Sequence, residues 1–244
     1  TSPAPIKPWI ASRRSFLSRV LATNTAPWTA SAGSGGVVTT DESVVRVTGT
    51  APIEVRSISV NGLAYAPTWT STTNWTLSVP LRAGTNQLVL GGLDRRGVSL
   101  VGTVSTLQVV YTGIDERPED FVRITEIMYE PTDPDAEFVE FHNGSSRTAF
   151  DLSGWRLEGV DLAFPGGSSL APGEFAVVIK DRSAFLGAYG NRPRVLAEFP
   201  GRLNNAGETL RLVRPGFSSA PWLTVNEATY SNLLPWPIRA AGSG

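Results

Sequence analysis

The spacing of apolar and polar positions divides the chain into one helical segment followed by a long series of short strands. Ile6, Trp9, Ile10, Phe16, Leu17, Val20 and Leu21 recur at three- and four-residue intervals, with Arg13, Arg14 and Arg19 on the polar side. That is the period of an amphipathic helix, and Pro8 fits its first turn, where a missing N–H is no loss. The pattern predicts a short N-terminal helix whose apolar side packs on another domain; a membrane surface is the alternative for a basic helix of this kind. Residues 23–36, with Pro27 and the run Ser31-Ala32-Gly33-Ser34-Gly35-Gly36, carry no periodicity and read as a flexible linker.

From Val37 to Tyr111 the period drops to two. Val44 to Thr48 and Val55 to Val60 alternate and are β-branched, and Asn61-Gly62 follows at once, the residue pair a type I′ hairpin favours. Trp75 to Val79 and Gln87 to Leu90 alternate again, Asp94-Arg95-Arg96-Gly97 makes a turn, and Val104 to Tyr111 supplies a last strand. Turns at such short intervals predict a small antiparallel sandwich over residues 37–113. The charged stretch Ile114 to Asp120, with Pro118, reads as a connector.

A second alternating series then runs through 120–244. Val122 to Tyr129 and Glu137 to Phe141 flank an acidic turn, and Phe175 to Ile179 follows Ala171-Pro172-Gly173. Residues 181–190 read as one short helix with Phe185, Leu186 and Tyr189 on one face, and strands are expected near 194–199, 208–214 and 223–230. The predicted fold class is all-β: two consecutive Ig-like antiparallel β-sandwiches with a short N-terminal helix.

Composition narrows the chemistry. With no cysteine and one histidine, disulfides, thiolate zinc sites and cysteine nucleophiles are excluded, and a Ser-His-Asp triad has almost no raw material. Acidic and basic residues number 22 and 21, so the chain is not the strongly basic type that binds nucleic acid through net charge. No apolar run is long enough to span a membrane. The chain lacks a starting Met and a signal-peptide pattern and stops at Ala240-Ala241-Gly242-Ser243-Gly244, so it reads as a piece of a longer protein.

Several constellations remain as candidate sites. Asp133, Asp135 and Glu137 form the densest acidic group; calcium, which takes six to eight oxygens, is the one candidate cofactor there, against a plain solvated hairpin. Trp69 and Trp75 would make a sugar-stacking platform if exposed, though tryptophans in such strands are more often core. Arg182, Arg192, Arg194 and Arg202 lie in a locally basic stretch over 181–214 that would suit a polyanion. Glu126 and Glu140 have the residue type of a glycosidase pair, but two small sandwiches offer no deep cleft for it. His142 at a strand end lacks a nucleophile elbow, so no catalytic residue is assigned.

Two ordered sets of motifs carry a resemblance. Val60-Asn61-Gly62, Trp69, Trp75, Leu81 to Asn86 and Asp94 to Gly97 make the first sandwich similar to bacterial Ig-like spacer modules. Ile124 to Tyr129, Glu137 to Asn143, Asp151 to Leu157, Leu170 to Glu174, Leu203 to Glu208, Tyr230 and Pro235-Trp236-Pro237 occur in an order that resembles the lamin-tail domain. The resemblance covers about residues 120–242 and is closest to the bacterial form. It implies a module without its own catalysis, secreted or held at the bacterial cell surface. The expected partners are a protein, the cell surface or a polysaccharide, with nucleic acid not expected. Trp9 to Arg14 weakly resemble the end of a CotH-like kinase domain, none of whose catalytic residues are present.

Overall fold

The computed structural model describes residues 6–23, 26–33, 35–216 and 221–233. The fold is all-β and Ig-like, with an N-terminal helix α1 (Ile6–Thr23). No helix among the described residues is long and apolar enough to cross a membrane. Two compact units divide the chain. The first holds the described residues up to Val38 with Val45–Val79 and Gln87–Val109; the second holds Thr39–Val44, Pro80–Asn86 and the described residues from Val110 onward.

Helix α1 forms where the periodicity places it, and no described residue buries its apolar side. Trp9 is 67% exposed, Ile10, Phe16 and Leu17 are also exposed, and the Arg13 and Arg19 guanidinium groups lie over the Phe16 ring at 5.5 and 5.9 Å. Nine strands follow: β1 (Thr29–Ser31), β2 (Val37–Thr40), β3 (Val44–Thr50), β4 (Ser57–Val60), β5 (Leu63–Tyr65), β6 (Thr68–Trp69), β7 (Asn74–Pro80), β8 (Gly84–Leu93) and β9 (Ser99–Tyr111). They make sheets of order β1-β3-β7-β6 and β2-β9-β8-β4-β5. Alternation decides the core: Val45 and Val47, Ile58 and Val60, and Trp75, Leu77 and Val79 point inward from their strands. The Asn61-Gly62 turn closes β4 on β5 with both residues at positive φ, 50° and 88°, as a type I′ turn requires. Gly49 has a separate role: a Cβ there would lie 2.0 Å from the Thr29 carbonyl and 2.6 Å from the Trp75 ring, so the indole packs directly on bare backbone.

After β9 the chain stays in the second unit, through the single turn α2 (Pro118–Phe121), β10 (Val122–Met128), β11 (Phe138–Asn143), β12 (Phe150–Asp151), β13 (Arg156–Glu158), β14 (Leu162–Ala163), β15 (Ser169–Leu170) and β16 (Phe175–Ile179). Helix α3 (Arg182–Tyr189) precedes β17 (Arg194–Glu198), β18 (Gly207–Arg214) and β19 (Leu223–Ser231). One sheet has the order β10-β11-β16-β17 and the other β14-β13-β18-β19, with β12-β15 as a separate pair. Between them lies a core that includes Val139, Phe141, Leu152, Leu157, Val178, Leu210, Leu212 and Tyr230. Asn226 Oδ1 accepts the Ile124 amide at 2.8 Å, a tie between strands 102 residues apart.

Two details depart from the sequence reading. The β16–β17 pair is parallel, not antiparallel, and α3 is the crossover that parallel pairing needs. Asp181 caps that helix by accepting the Ala184 amide at 2.9 Å. Phe185 and Tyr189 face Phe138 edge-on at 5.6 and 5.1 Å, whereas Leu186, expected on the same face, is exposed. The ending Pro235-Trp236-Pro237 lies outside the described residues.

Candidate functional site

The acidic turn after β10 and the loop before β18 meet in the second unit. In the turn the Asp133 carbonyl accepts the Ala136 amide at 2.9 Å, and Asp133 Oδ1 accepts the Asp135 amide at 3.1 Å. Pro131 and Pro134 stiffen the same segment. The chain then passes inward, so that Glu137 is 3% exposed although its neighbours at 133 and 135 stand in solvent. Alternation predicted Glu137 on a regular strand; β11 begins only at Phe138, and Glu137 occupies the entry to it.

Burial of a carboxylate demands partners. Glu137 Oε2 accepts the Leu203 amide at 3.0 Å, and Arg202 Nη1 lies 3.8 Å from Oε1. Desolvation holds the Glu137 carboxyl above the usual carboxylate range, against the pull of the Leu203 amide, Arg202 and Lys180. Lys180 donates to the Pro200 and Gly201 carbonyls at 2.9 and 2.6 Å, which holds the opposite loop in place. Arg202 Nη2 reaches Asp135 Oδ1 at 2.7 Å. Turn and loop enclose a cavity of about 410 Å³, whose walls include Tyr129, Pro134, Glu137, Arg202 and Asn205. Behind it Tyr129 stacks on Tyr230 at 4.8 Å, and the Tyr230 hydroxyl shares its proton between Glu208 Oε1 (2.9 Å) and the Asn204 carbonyl (3.0 Å). Burial and that carboxylate push the Tyr230 hydroxyl far up.

The other sequence candidates fall elsewhere. Asp133, Asp135 and Glu137 do not converge: one binds its own turn, one pairs with Arg202 and one turns inward. No group of three His, Asp or Glu side chains able to hold a metal exists among the described residues. Of the two readings of the tryptophans the core one fits Trp75, which is 1% exposed and stacked on Trp28 at 5.6 Å, with Trp69 half-buried beside it. Of the four arginines, Arg182 pairs with Glu198 (3.4 Å), Arg194 with Glu174 (2.7 Å) and Arg202 with Asp135 (2.7 Å). Arg192 is exposed, and no ion pair joins it to a described residue. Glu126 and Glu140 are direct cross-strand partners; burial and then the Glu140 charge raise the Glu126 carboxyl, and Thr125 Oγ1 donates to Glu140 Oε1 at 2.8 Å. His142 stacks on the exposed Phe175 ring at 4.0 Å.

One heavily bonded polar side chain was not singled out as a site from sequence. Asn143, fully buried, donates from Nδ2 to the carbonyls of Thr148 (2.8 Å), Leu170 (3.1 Å) and Ala171 (2.9 Å) and accepts the Ser145 amide at 2.9 Å. Ser145 continues the network to the Glu116 carboxylate. In sequence Asn143 closes the Glu137 to Asn143 motif and begins an Asn-Gly step just after an alternating strand, which reads equally as a surface turn.

An Ig-like sandwich with a polar cavity at its edge is the class defined by this fold. Comparison with known families adds that residues 116–226, a little under half the chain, match the model of the Lamin Tail Domain. That match falls on the segment whose motifs carried the resemblance, and the residues beyond 226 lie outside it. No curated protein matches the chain. Among solved structures, the chain is similar to SGBP-B of the Bacteroides ovatus mixed-linkage glucan utilization locus, determined in complex with a mixed-linkage heptasaccharide. The two share 12% identity over 64% of this chain and 45% of that one, with a TM-score of 0.22. The chain thus spans less than half of that protein's length, and at this level the likeness bears on neither ligand nor role.

Proposed function

We propose that the chain is a non-catalytic structural and interaction module of a larger exported bacterial protein. In this reading the first unit is an Ig-like spacer, and the lamin-tail-type unit attaches or positions its parent at the cell surface. The observation that carries it is the match over 116–226 on a sandwich in which Arg182, Arg194 and Arg202 are each paired with a carboxylate. A relation to CotH-like proteins belongs to the same proposal and rests only on the weak likeness of Trp9 to Arg14.

The alternative, a polysaccharide or polyanion contact through Trp75 or the arginine stretch, loses support from the burial of the indole and the ion pairing of three arginines. Two measurements test the reading. Purified chain should co-sediment with isolated bacterial cell envelopes, and it should release no product from polysaccharide or ester substrates above the buffer rate. Turnover that survives repurification overturns the non-catalytic assignment, and failure to co-sediment overturns the attachment role.

A further inference from the structure

We infer that the cavity between the 130–137 turn and the 202–205 loop is a binding site for a neutral, hydroxyl-rich ligand, namely a pyranose unit of a glycan. Its volume of about 410 Å³ falls within the span of small-ligand pockets. Two of its walls carry polar groups that the described residues leave unmet. Glu137 has a side chain 4% exposed, and no described residue donates a hydrogen bond to its Oε1, with Arg202 Nη1 at 3.8 Å. Tyr129, 1% exposed, has a hydroxyl with no partner among the described residues. A buried polar atom without a partner, as the Tyr129 hydroxyl is, is rare in native folds and points to water or a ligand.

The pairing of groups selects the chemistry. An anionic ligand would meet the Glu137 carboxylate, and a cationic one would meet the Arg202 guanidinium, which also reaches Asp135 at 2.7 Å. A hydroxyl satisfies both neighbours at once, donating to Glu137 Oε1 and accepting from Arg202. Asn205 adds an amide that both donates and accepts, while Pro131 and Pro134 offer apolar ring faces for the C–H side of a sugar. The site goes beyond the attachment reading by naming a place and a ligand class, and it uses none of the tryptophans.

The test is amide-shift mapping on the isotope-labelled full chain with D-glucose, D-galactose, D-mannose and N-acetylglucosamine as probes. Butylammonium, gluconate and a Gly-Ser-Gly peptide serve as charged and peptide comparators. The expected result is saturable shifts for at least one sugar, confined to residues 129–137 and 202–205, with weaker or no response to the comparators. Glu137→Gln and Arg202→Gln should each weaken the sugar about tenfold, the loss of one hydrogen bond to a charged group. Arg202 is solvent-exposed over more than half its side chain, so its variant keeps the test open if Glu137→Gln does not fold. Absence of sugar shifts at these residues, affinity unchanged in the folded variants, or stronger binding of a comparator at the cavity overturns the inference. Co-sedimentation with envelopes is measured separately, so either proposal can fail while the other stands.

Discussion

Replacing Asn143 with Ala removes the side chain that ties the end of β11 to the loops at 145–148 and 170–171. Ala171 O keeps the Glu174 amide at 3.1 Å and Leu170 stays paired with Phe150 across β12 and β15, so the loss falls on the Thr148 carbonyl and the Ser145 amide. Each buried group left unpaired costs about 1–3 kcal/mol, and the low end applies where water enters the space vacated by the amide. The sum is about 2 kcal/mol, within the range of ordinary single-substitution effects. Urea unfolding followed through the fluorescence of Trp155, buried in the same core, reads it. With a slope of about 1–3 kcal/mol/M, the midpoint should fall by about 1 M while the slope stays unchanged. Asn143→Asp makes the sign testable: its carboxylate would face carbonyl oxygens, raising the folded-state pKa above the unfolded value. Its penalty is therefore full above the folded pKa and disappears as pH falls below the unfolded one. A loss under about 1 kcal/mol for Asn143→Ala would refute the assignment of Asn143 as the organiser of these loops.

Gly49→Ala should destabilise the first unit by about 2–3 kcal/mol, because the new methyl group meets backbone at Thr29 and the fixed Trp75 ring; an unchanged thermal midpoint for that unit would contradict this. Asp181→Ala should cost about 1 kcal/mol through loss of the α3 cap. Its mark is faster hydrogen exchange at the Ala184 amide, and unaltered exchange counts against the cap. Glu126→Gln should stabilise the second unit at neutral pH but not in acid. Burial and Glu140 raise the folded carboxyl, so wild-type stability is intact below the unfolded pKa and declines as pH rises through the folded one. A variant whose advantage is independent of pH rules that explanation out.

Local patterns carried the fold a long way. Alternation placed the inward residues of β3 and β7, Asn61-Gly62 located a hairpin, and the 181–190 period located α3 within a residue or two. What stayed hidden depends on distant partners. The parallel register of β17 on β16 is invisible in a five-residue strand, because parallel and antiparallel strands share the same period. Acidic character alone placed Glu137 with Asp133 and Asp135 as a ligand set; only the Leu203 amide, 66 residues away, draws it inside. Trp75 shows the converse, since the sequence admits both a platform and a core residue and only the bare backbone at Gly49 decides between them.

The hydrogen bond from the Ile124 amide to Asn226 has a consequence for the order of events during synthesis. The first long strand of the second unit cannot complete its bonding until a strand made 102 residues later has emerged. Until Leu223–Ser231 arrives, β18 has β13 on one side and an open edge on the other. Non-local pairing of this kind slows folding relative to helical proteins. A nascent chain stopped before residue 223 would therefore present an unpaired strand edge to the translation machinery and its chaperones, and closure of that edge waits on the β18–β19 hairpin.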